Sequence, residues 1–438
     1  MNKAQTLIVI GAGASKDFHK IEGKNKIDCG MPTGEELINQ MIKFEREMVR
    51  YGEQEYLDTK GVENRLKGCG FISQNIYNKF YAANYSIEDF VNNNKKNIFN
   101  NIDKNNFLAD EEIKIIEAQP TLQSCHQKVK NLQDLQLNGT AKMRQSLGLE
   151  PHCHLAKLLE KYHPVSIDNF LTSIKNKLID IEIEGYNSTN EQLVDAGKEL
   201  IVYYILKAEN AEIFNSNHKI WYRWLREAII NSYANKGFDE VEKKTPEQII
   251  AENIEKLQII NFNYDRSLEY YLDNNMKDFA DKIKEKIYHP YGWLYEENEV
   301  IKYGEFSKIL NSKEVSFKQI FDEYVKKFAS KIKVIGEDRS GDESKKIFKK
   351  DSGKLKMYFL GFSFIKANLN IISGEKIRAG RDVDRIFYTN YNNSQKIELE
   401  VKDFFPKSSE YIRPDEPLFQ KSPKGVYEAL EQDFALII

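Results

Sequence analysis

The sequence carries a glycine-rich stretch that could bind phosphate. An apolar run, Leu7 to Ile10, breaks into Gly-Ala-Gly-Ala-Ser at residues 11–15. When such a turn follows the first strand of a parallel sheet, its uncovered backbone N–H groups can hold the phosphates of a nucleotide. Gly11 and Gly13 fit that use. The alternative is an ordinary tight turn, because a short glycine motif alone is weakly specific.

The motif departs from the fingerprint of nicotinamide-dependent dehydrogenases in two places. That fingerprint has a third glycine at its sixth position, which is Lys16 here. It also has an acidic residue at the end of the second strand, which we do not find in the sequence. A standard dehydrogenase is therefore disfavoured.

Adjacent histidine and cysteine residues could in principle ligate a metal ion. Cys125 precedes His126, and His152, Cys153 and His154 are consecutive, but no C-x-x-C pair is present. Neighbouring residues on one element point in different directions, and closed zinc sites seldom use them all. We therefore expect no metal.

Apolar patterning predicts strands at both ends of the chain and helices between them. Residues 6–10 form a continuous apolar run typical of a buried parallel strand, and strand and helix alternate after residue 255. This alternation predicts an α/β fold, a parallel sheet with helices on both faces and a large, mostly helical insertion. We assign 1–40 and 255–438 to the sheet domain and 41–254 to the insertion. Strands are expected within 257–265, 332–336, 356–364 and 384–392, and a short strand or a turn within 287–294.

Composition and charge limit the class of protein. The 438 residues are 41% hydrophobic and 30% charged, and no apolar run reaches membrane-spanning length. Lys and Arg number 64 against 67 Asp and Glu, so no global positive field attracts nucleic acid. The apolar run before the glycines is too short for a signal peptide. We expect a cytoplasmic protein that binds neither nucleic acid directly nor a membrane.

Several segments, taken in their order along the chain, resemble one known family. They are residues 11–15, 30–37, 166–171, 261–269, 289–294 and 359–369. The set resembles the sirtuin-like NAD-hydrolysing domains of bacterial antiphage defence systems, and the resemblance spans nearly the whole chain. It implies a Rossmann-like parallel sheet with a helical insertion, and NAD+ as the ligand.

The resemblance also implies roles for single residues. Asn263 and His289 match the catalytic positions. The glycine turn matches the part of the family that surrounds the pyrophosphate and adjacent ribose, and the late loop matches the part that approaches the adenosine. The residues implied to bind NAD+ are Gly11, Ala12, Gly13, Ala14, Ser15, Asp265, Tyr291, Gly361 and Ser363.

The histidine assignment departs from the family pattern. There the histidine directly precedes a glycine, whereas here Tyr291 precedes Gly292 and His289 lies two residues earlier. His289 is the preferred candidate because it is the only histidine in the C-terminal strand-helix half, and Tyr291 is the second choice. Each residue also has a structural alternative. A strand-end histidine can pair with a backbone carbonyl, and Asn263 could cap the next helix, although Asp265 is better placed to do so.

An amide and an imidazole suit hydrolysis of the nicotinamide–ribose bond. The transition state resembles the oxocarbenium ion of glycoside hydrolysis, so positioning and a base matter more than an acid. The amide can hold water or a ribose hydroxyl, and the imidazole can accept a proton. Protein deacylation, the other sirtuin reaction, comes with a four-cysteine zinc module that these cysteines do not supply. We expect NAD+ as substrate and ADP-ribose and nicotinamide as products.

The resemblance further implies how such an activity is controlled. Members of the family deplete NAD during phage infection and are activated by self-assembly or by a partner. This implies a homo-oligomer, with a HerA-type DNA-translocating ATPase or a short Argonaute as the activating partner. The main alternative is a non-catalytic module that binds NAD+ or an ADP-ribose derivative and signals through assembly.

Overall fold

A computed structural model describes fourteen stretches of the chain. They are residues 6–22, 25–28, 30–48, 144–145, 147–214, 218–231, 244–294, 301–312, 315–334, 355–377, 379, 382–391, 393–406 and 419–438. The chain divides into two compact units, of which the first comprises 1–42, 154–315 and 319–438 and the second comprises 43–153 and 316–318. The sheet and the candidate site lie in the first unit. The insertion boundaries at residues 41 and 254 stay a prediction.

The first unit contains a six-stranded parallel sheet with helices, which confirms the predicted α/β class. The strands are β1 (Thr6–Ile10), β2 (His19–Glu22), β3 (Asn25–Asp28), β4 (His218–Lys219), β5 (Leu257–Asn261), β6 (Ile287–Tyr288), β7 (Lys356–Leu360), β8 (Arg385–Thr389) and β9 (Phe419–Ser422). The order in the large sheet is β6-β5-β1-β7-β8-β9, and every neighbouring pair is parallel. Renumbered along the chain, this is the Rossmann order 3-2-1-4-5-6, in which ligands bind where the order reverses. The reversal here lies between β1 and β7.

Apolar clusters cover both faces of the sheet. Along β1, Ile8 and Ile10 pack into one cluster and Leu7 and Val9 into the other, and each is at most 2% exposed. Trp221 is fully buried in the first cluster. Burying an aliphatic side chain contributes roughly 1.5–3 kcal/mol, so this strand anchors the turn that follows it.

Most described residues between β1 and β5 are helical. The helix after the first loop begins directly after Thr33, because the Thr33 hydroxyl accepts the Glu36 N–H and the Glu36 carboxylate accepts the Thr33 N–H. No helix in the described stretches is long and apolar enough to cross a membrane. The helices are α1 (Ala12–Lys16), α2 (Gly34–Met41), α3 (Glu150–Tyr162), α4 (Ile167–Lys175), α5 (Asn190–Ala208), α6 (Tyr222–Asn231), α7 (Pro246–Lys256), α8 (Ser267–Asn275), α9 (Ala280–Lys284), α10 (Phe306–Asn311), α11 (Phe317–Ile320), α12 (Lys326–Ala329), α13 (Lys366–Ile372), α14 (Gln395–Phe404) and α15 (Val426–Glu428). Shorter turns of 3-10 helix (Ala211–Phe214) and π-helix (Phe321–Val325 and Ala429–Asp433) accompany them.

The structure differs from the sequence prediction in three elements. The prediction of a strand at 332–336 is wrong over its described part, where Ile332 and Val334 are buried in irregular backbone and the Lys333 N–H donates to Tyr291 O at 2.8 Å. A small antiparallel sheet, β3-β2-β4, was not predicted. Nor was β9, which adds the sixth strand to the large sheet.

Candidate functional site

The glycine turn after β1 packs directly against the loop after β7. The Gly11 N–H donates to Leu360 O at 3.0 Å, and the Gly13 N–H donates to Gly361 O at 3.1 Å. A Cβ placed on Gly11 would lie 2.6 Å from Gly361 O, and one on Gly13 would lie 3.0 Å from Gly361 Cα. The side chains are therefore excluded by another backbone. This close approach lies where the strand order reverses.

Two features of the structure require glycine at position 361. Its φ of +60° is in the left-handed region, and an added Cβ would lie 2.0 Å from Ala14 N. Its N–H donates to the Thr389 hydroxyl at the end of β8 at 2.8 Å. Only glycine satisfies both the backbone conformation and the available space. Ser363, two residues further on, is exposed.

Among residues 11–14, Ala12 is the one whose N–H has no acceptor in the described part of the chain. Gly11 and Gly13 donate to the β7 loop, and the Ala14 N–H donates to Gly11 O at 2.9 Å. Ala12, the first residue of the short helix α1, is exposed, and its N–H is the one that remains. The first N–H groups of a helix lack intrahelical acceptors. Ala12 is thus better placed than the two glycines to donate to a ligand.

Asn263 is bound to the glycine turn by its side chain. It lies two residues beyond β5 and is 7% exposed. Its amide nitrogen donates to Gly11 O at 3.2 Å and to the Ser15 hydroxyl at 2.9 Å. Because a carbonyl oxygen only accepts, these bonds direct the amide nitrogen to the turn. The amide oxygen accepts no hydrogen bond from the described residues.

Asp265, not Asn263, accepts a hydrogen bond from the N-terminus of the following helix, as its position in the sequence favoured. Its buried carboxylate accepts the N–H of Ser267, the first residue of α8, at 3.1 Å. Burial raises the pKa of Asp265, and the nearby Glu269 charge adds to this, while hydrogen bonds from Ser267 and Ser15 act in the opposite direction. Burial, with a contribution from Asp265, also raises the pKa of Tyr222 well above its usual value.

His289 forms a buried pair with a glutamate. Its Nε2 lies 2.9 Å from the Glu269 Oε1, and the two side chains are 6% and 0% exposed. The imidazole stacks on Trp293, with ring centroids 4.5 Å apart and planes inclined by 11°. The partner is therefore a carboxylate from α8 and not the backbone carbonyl considered from the sequence.

These polar groups form a row along the carboxyl edge of the sheet. Asn263 contacts Ser15, Ser15 lies beside Asp265, the Glu269 charge acts on Asp265, and Glu269 pairs with His289. The parallel pairing of β1, β5 and β6 explains this, because their carboxyl ends meet at one edge. Hydrogen bonds thus join Asn263 to the glycine turn and Glu269 to His289, and these two groups follow neighbouring strands at the same edge of the sheet.

A cleft of about 450 Å³ opens at the β6 end of this row. Its lining consists of Ile287, Tyr288, His289, Gly292, Trp293 and Lys331. His289 is the member that also belongs to the polar row. The cleft lining does not include the glycine turn.

Tyr291 has a different environment. It is 4% exposed and belongs to the apolar cluster on the other face of the sheet, with Phe262 at a ring centroid distance of 5.8 Å. Its hydroxyl donates to the Asn368 amide oxygen. Between the two histidine-position candidates, His289 is therefore the one in the polar row.

Sequence reasoning did not identify Glu269 or Tyr222 as site residues. Glu269 interrupts an apolar stretch of α8 in which Leu268, Tyr271 and Leu272 are buried. A carboxylate among buried neighbours was the available signal, because buried carboxylates need a partner. Tyr222 gave no comparable signal.

The described residues contain no group of three or more His, Cys, Asp or Glu that could hold a metal ion. Cys125 and His126 lie outside the described residues, and His154 Nε2 lies 2.8 Å from Ile181 O. Comparison of the chain with protein-family models, with curated proteins and with solved structures finds no match.

Proposed function

We propose that the protein is an NAD+ glycohydrolase that cleaves NAD+ to ADP-ribose and nicotinamide. The observation that carries the proposal is the tie between Asn263 and the glycine turn at the reversal of a Rossmann-ordered sheet. In such sheets a dinucleotide lies across this reversal, outside the carboxyl ends of the strands. The resemblance to sirtuin-like NAD-hydrolysing domains, drawn from the sequence motifs, supplies the substrate.

The proposed reaction breaks the bond between the nicotinamide nitrogen and the ribose C1′. The bond electrons stay with nicotinamide, which leaves as a neutral molecule, and a water oxygen bonds to C1′. The proton that this water loses goes to the base, which we assign to His289. The oxygen of the Asn263 amide, which the described residues leave open, would hold the water or a ribose hydroxyl. General base catalysis of this kind contributes about 10²- to 10⁴-fold.

The pyrophosphate would lie beside the turn at residues 11–15. The exposed Ala12 N–H is the donor that this chain offers, since the Gly11 and Gly13 N–H groups are already donated. In this proposal the glycines act indirectly, because they let the two loops meet and so shape the crevice. Ser363, exposed on the second loop, is placed to contact the adenosine.

A non-catalytic nucleotide-binding module is the second candidate. It is favoured by the fact that both hydrogens of the Asn263 amide and one nitrogen of His289 already have protein partners. These contacts would hold a binding crevice even without turnover. A catalytic protein releases nicotinamide, whereas a binding module saturates with NAD+ and releases none.

We propose that in the cell this activity depletes NAD+ during phage infection. Such an enzyme is kept silent until it assembles as a homo-oligomer or meets a partner, for which we propose a HerA-type ATPase or a short Argonaute. The assay therefore includes the product of the neighbouring gene.

The experiment is nicotinamide release from NAD+ by the purified chain, alone and with that neighbouring protein. His289→Asn is compared with His163→Asn, an exposed position whose φ of 43° asparagine tolerates. We expect His289→Asn to lower the rate about 10²- to 10⁴-fold and His163→Asn to leave it unchanged. Saturable NAD+ binding without any release would favour the binding module. Equal rates in the two variants would contradict the role of His289.

A further inference from the structure

The buried contact between Glu269 and His289 determines which nitrogen of the imidazole can accept a proton. The Glu269 Oε1 lies 2.9 Å from Nε2, within hydrogen-bonding distance. The Glu269 side chain is 0% exposed, and its second oxygen has no hydrogen-bond partner among the described residues. His289 is therefore the group that this buried carboxyl is seen to bind.

An ionised carboxylate accepts hydrogen bonds and donates none, so the shared hydrogen belongs to Nε2. A neutral imidazole carries one hydrogen, which leaves Nδ1 with a free lone pair. Nδ1 of His289 is buried and has no hydrogen-bond partner in the described part of the chain. We propose that Glu269 is a positioning residue that fixes the Nε2–H tautomer of His289 and makes Nδ1 the basic nitrogen.

Two further contacts limit how the His289 side chain can be oriented, one on the ring and one on the backbone. Trp293 stacks on its face, and His289 O accepts the Gly292 N–H at 3.1 Å. Gly292 has a φ of +75°, and an added Cβ would lie 2.1 Å from Lys331 O, so the turn holds one shape. The imidazole therefore has little freedom to exchange its two nitrogens by rotation.

The inference deepens the proposed function and rests on it only for the catalytic consequence. In the proposed reaction, the water that attacks C1′ passes its proton to Nδ1, which NAD+ binding must first make accessible, and the ring becomes an imidazolium. The Glu269 carboxylate at 2.9 Å from Nε2 stabilises that positive charge. An orienting carboxylate beside a catalytic histidine has this double effect on tautomer and charge in serine proteases.

The tautomer can be measured without substrate. The full chain is labelled with ¹⁵N at its seven histidines, and the long-range proton–nitrogen couplings of the neutral ring are recorded by NMR. The signal of His289 is assigned by its absence in His289→Asn. We expect the Nε2–H form in the wild type. In Glu269→Gln both tautomers should be populated, because a glutamine amide can accept or donate.

Kinetics then separate positioning from a structural role. We expect Glu269→Gln to lower kcat about 10²- to 10⁴-fold with a much smaller change in KM. Glu285→Gln, at an exposed glutamate, is the matched control and should change neither.

An Nδ1–H tautomer in the wild type overturns the inference, and that measurement does not depend on any variant folding. A folded Glu269→Gln variant with wild-type kcat also overturns it. If the wild type releases no nicotinamide, the proposed function fails, while the tautomer still decides the role of Glu269.

Discussion

Replacing Gly361 by alanine tests the contact that shapes the glycine turn. The substitution places a methyl group 2.0 Å from Ala14 N, at a residue whose φ is +60°. The obstructing atoms are backbone, so no side chain can rotate away. The Gly13 N–H to Gly361 O bond would have to lengthen or break.

The expected cost has two parts. A non-glycine residue in the left-handed region costs roughly 1–2 kcal/mol. Overpacking costs typically about 1–3 kcal/mol more. We therefore expect Gly361→Ala to lower the free energy of unfolding by about 2–5 kcal/mol.

Two other glycines separate these parts. Gly185 has a φ of +80° with no atom within 4 Å of an added Cβ, so alanine there meets only the conformational cost. Gly374 has neither a left-handed φ nor a neighbour within 4 Å, so its substitution should change stability by no more than about 0.5 kcal/mol. Urea unfolding followed by far-UV circular dichroism gives the three values.

The predicted order of stability is Gly374→Ala, then Gly185→Ala, then Gly361→Ala. If Gly361→Ala and Gly185→Ala unfold at the same urea concentration, the close approach of the two loops is refuted.

Three further predictions concern residues in the segment that follows β5. Arg266 and Glu209 form a buried bidentate pair at 2.7 and 2.9 Å, so Arg266→Met should lower the free energy of unfolding by about 3–5 kcal/mol in urea; a loss below about 1 kcal/mol would contradict this. Burial raises the pKa of Asp265 above its ordinary value of 3.8. The free energy of unfolding should therefore fall as pH rises from 3.8 to the raised pKa, by about 1.4 kcal/mol for each pH unit in that interval. Asp265→Asn should remove this dependence, and urea midpoints from about pH 4 to 7 that change equally in both proteins would count against it. Asn263→Asp turns the hydrogen bond to Gly11 O into a contact between two acceptors and should lower nicotinamide release, whereas Asn274→Asp, at an exposed helix position, should not; equal rates would show that the amide is dispensable.

The sheet could be predicted where the sequence contains continuous apolar runs. Residues 7–10 and 357–360 are such runs and make up most of the strands on either side of the reversal. The prediction failed where the same signal had another cause. Ile332 and Val334 are buried without pairing in a sheet. The strands β2 and β3 have no apolar run and could not be recognised.

The candidate site could be predicted at its loops but not in its contacts. The glycine motif and Asn263 were identified separately, and the structure joins them by hydrogen bonds. Their separation of about 250 residues carries no information on distance, because distance depends on which strands lie side by side. The Glu269 pair was missed for the same reason, since its partner His289 follows another strand. The close approach of the loop at Gly361 to these glycines could not be predicted either, because it too depends on which strands lie side by side.

The proposed function requires that one dinucleotide binds across the reversal between β1 and β7 with its C1′ near Asn263. A crystal structure of His289→Asn with NAD+ is the sharpest test of this requirement, because the variant should bind the substrate and turn it over slowly. We predict the pyrophosphate beside the Ala12 N–H and the nicotinamide ribose beside Asn263. NAD+ bound away from residues 11–15, or no NAD+ bound at saturating concentration, would contradict the proposal.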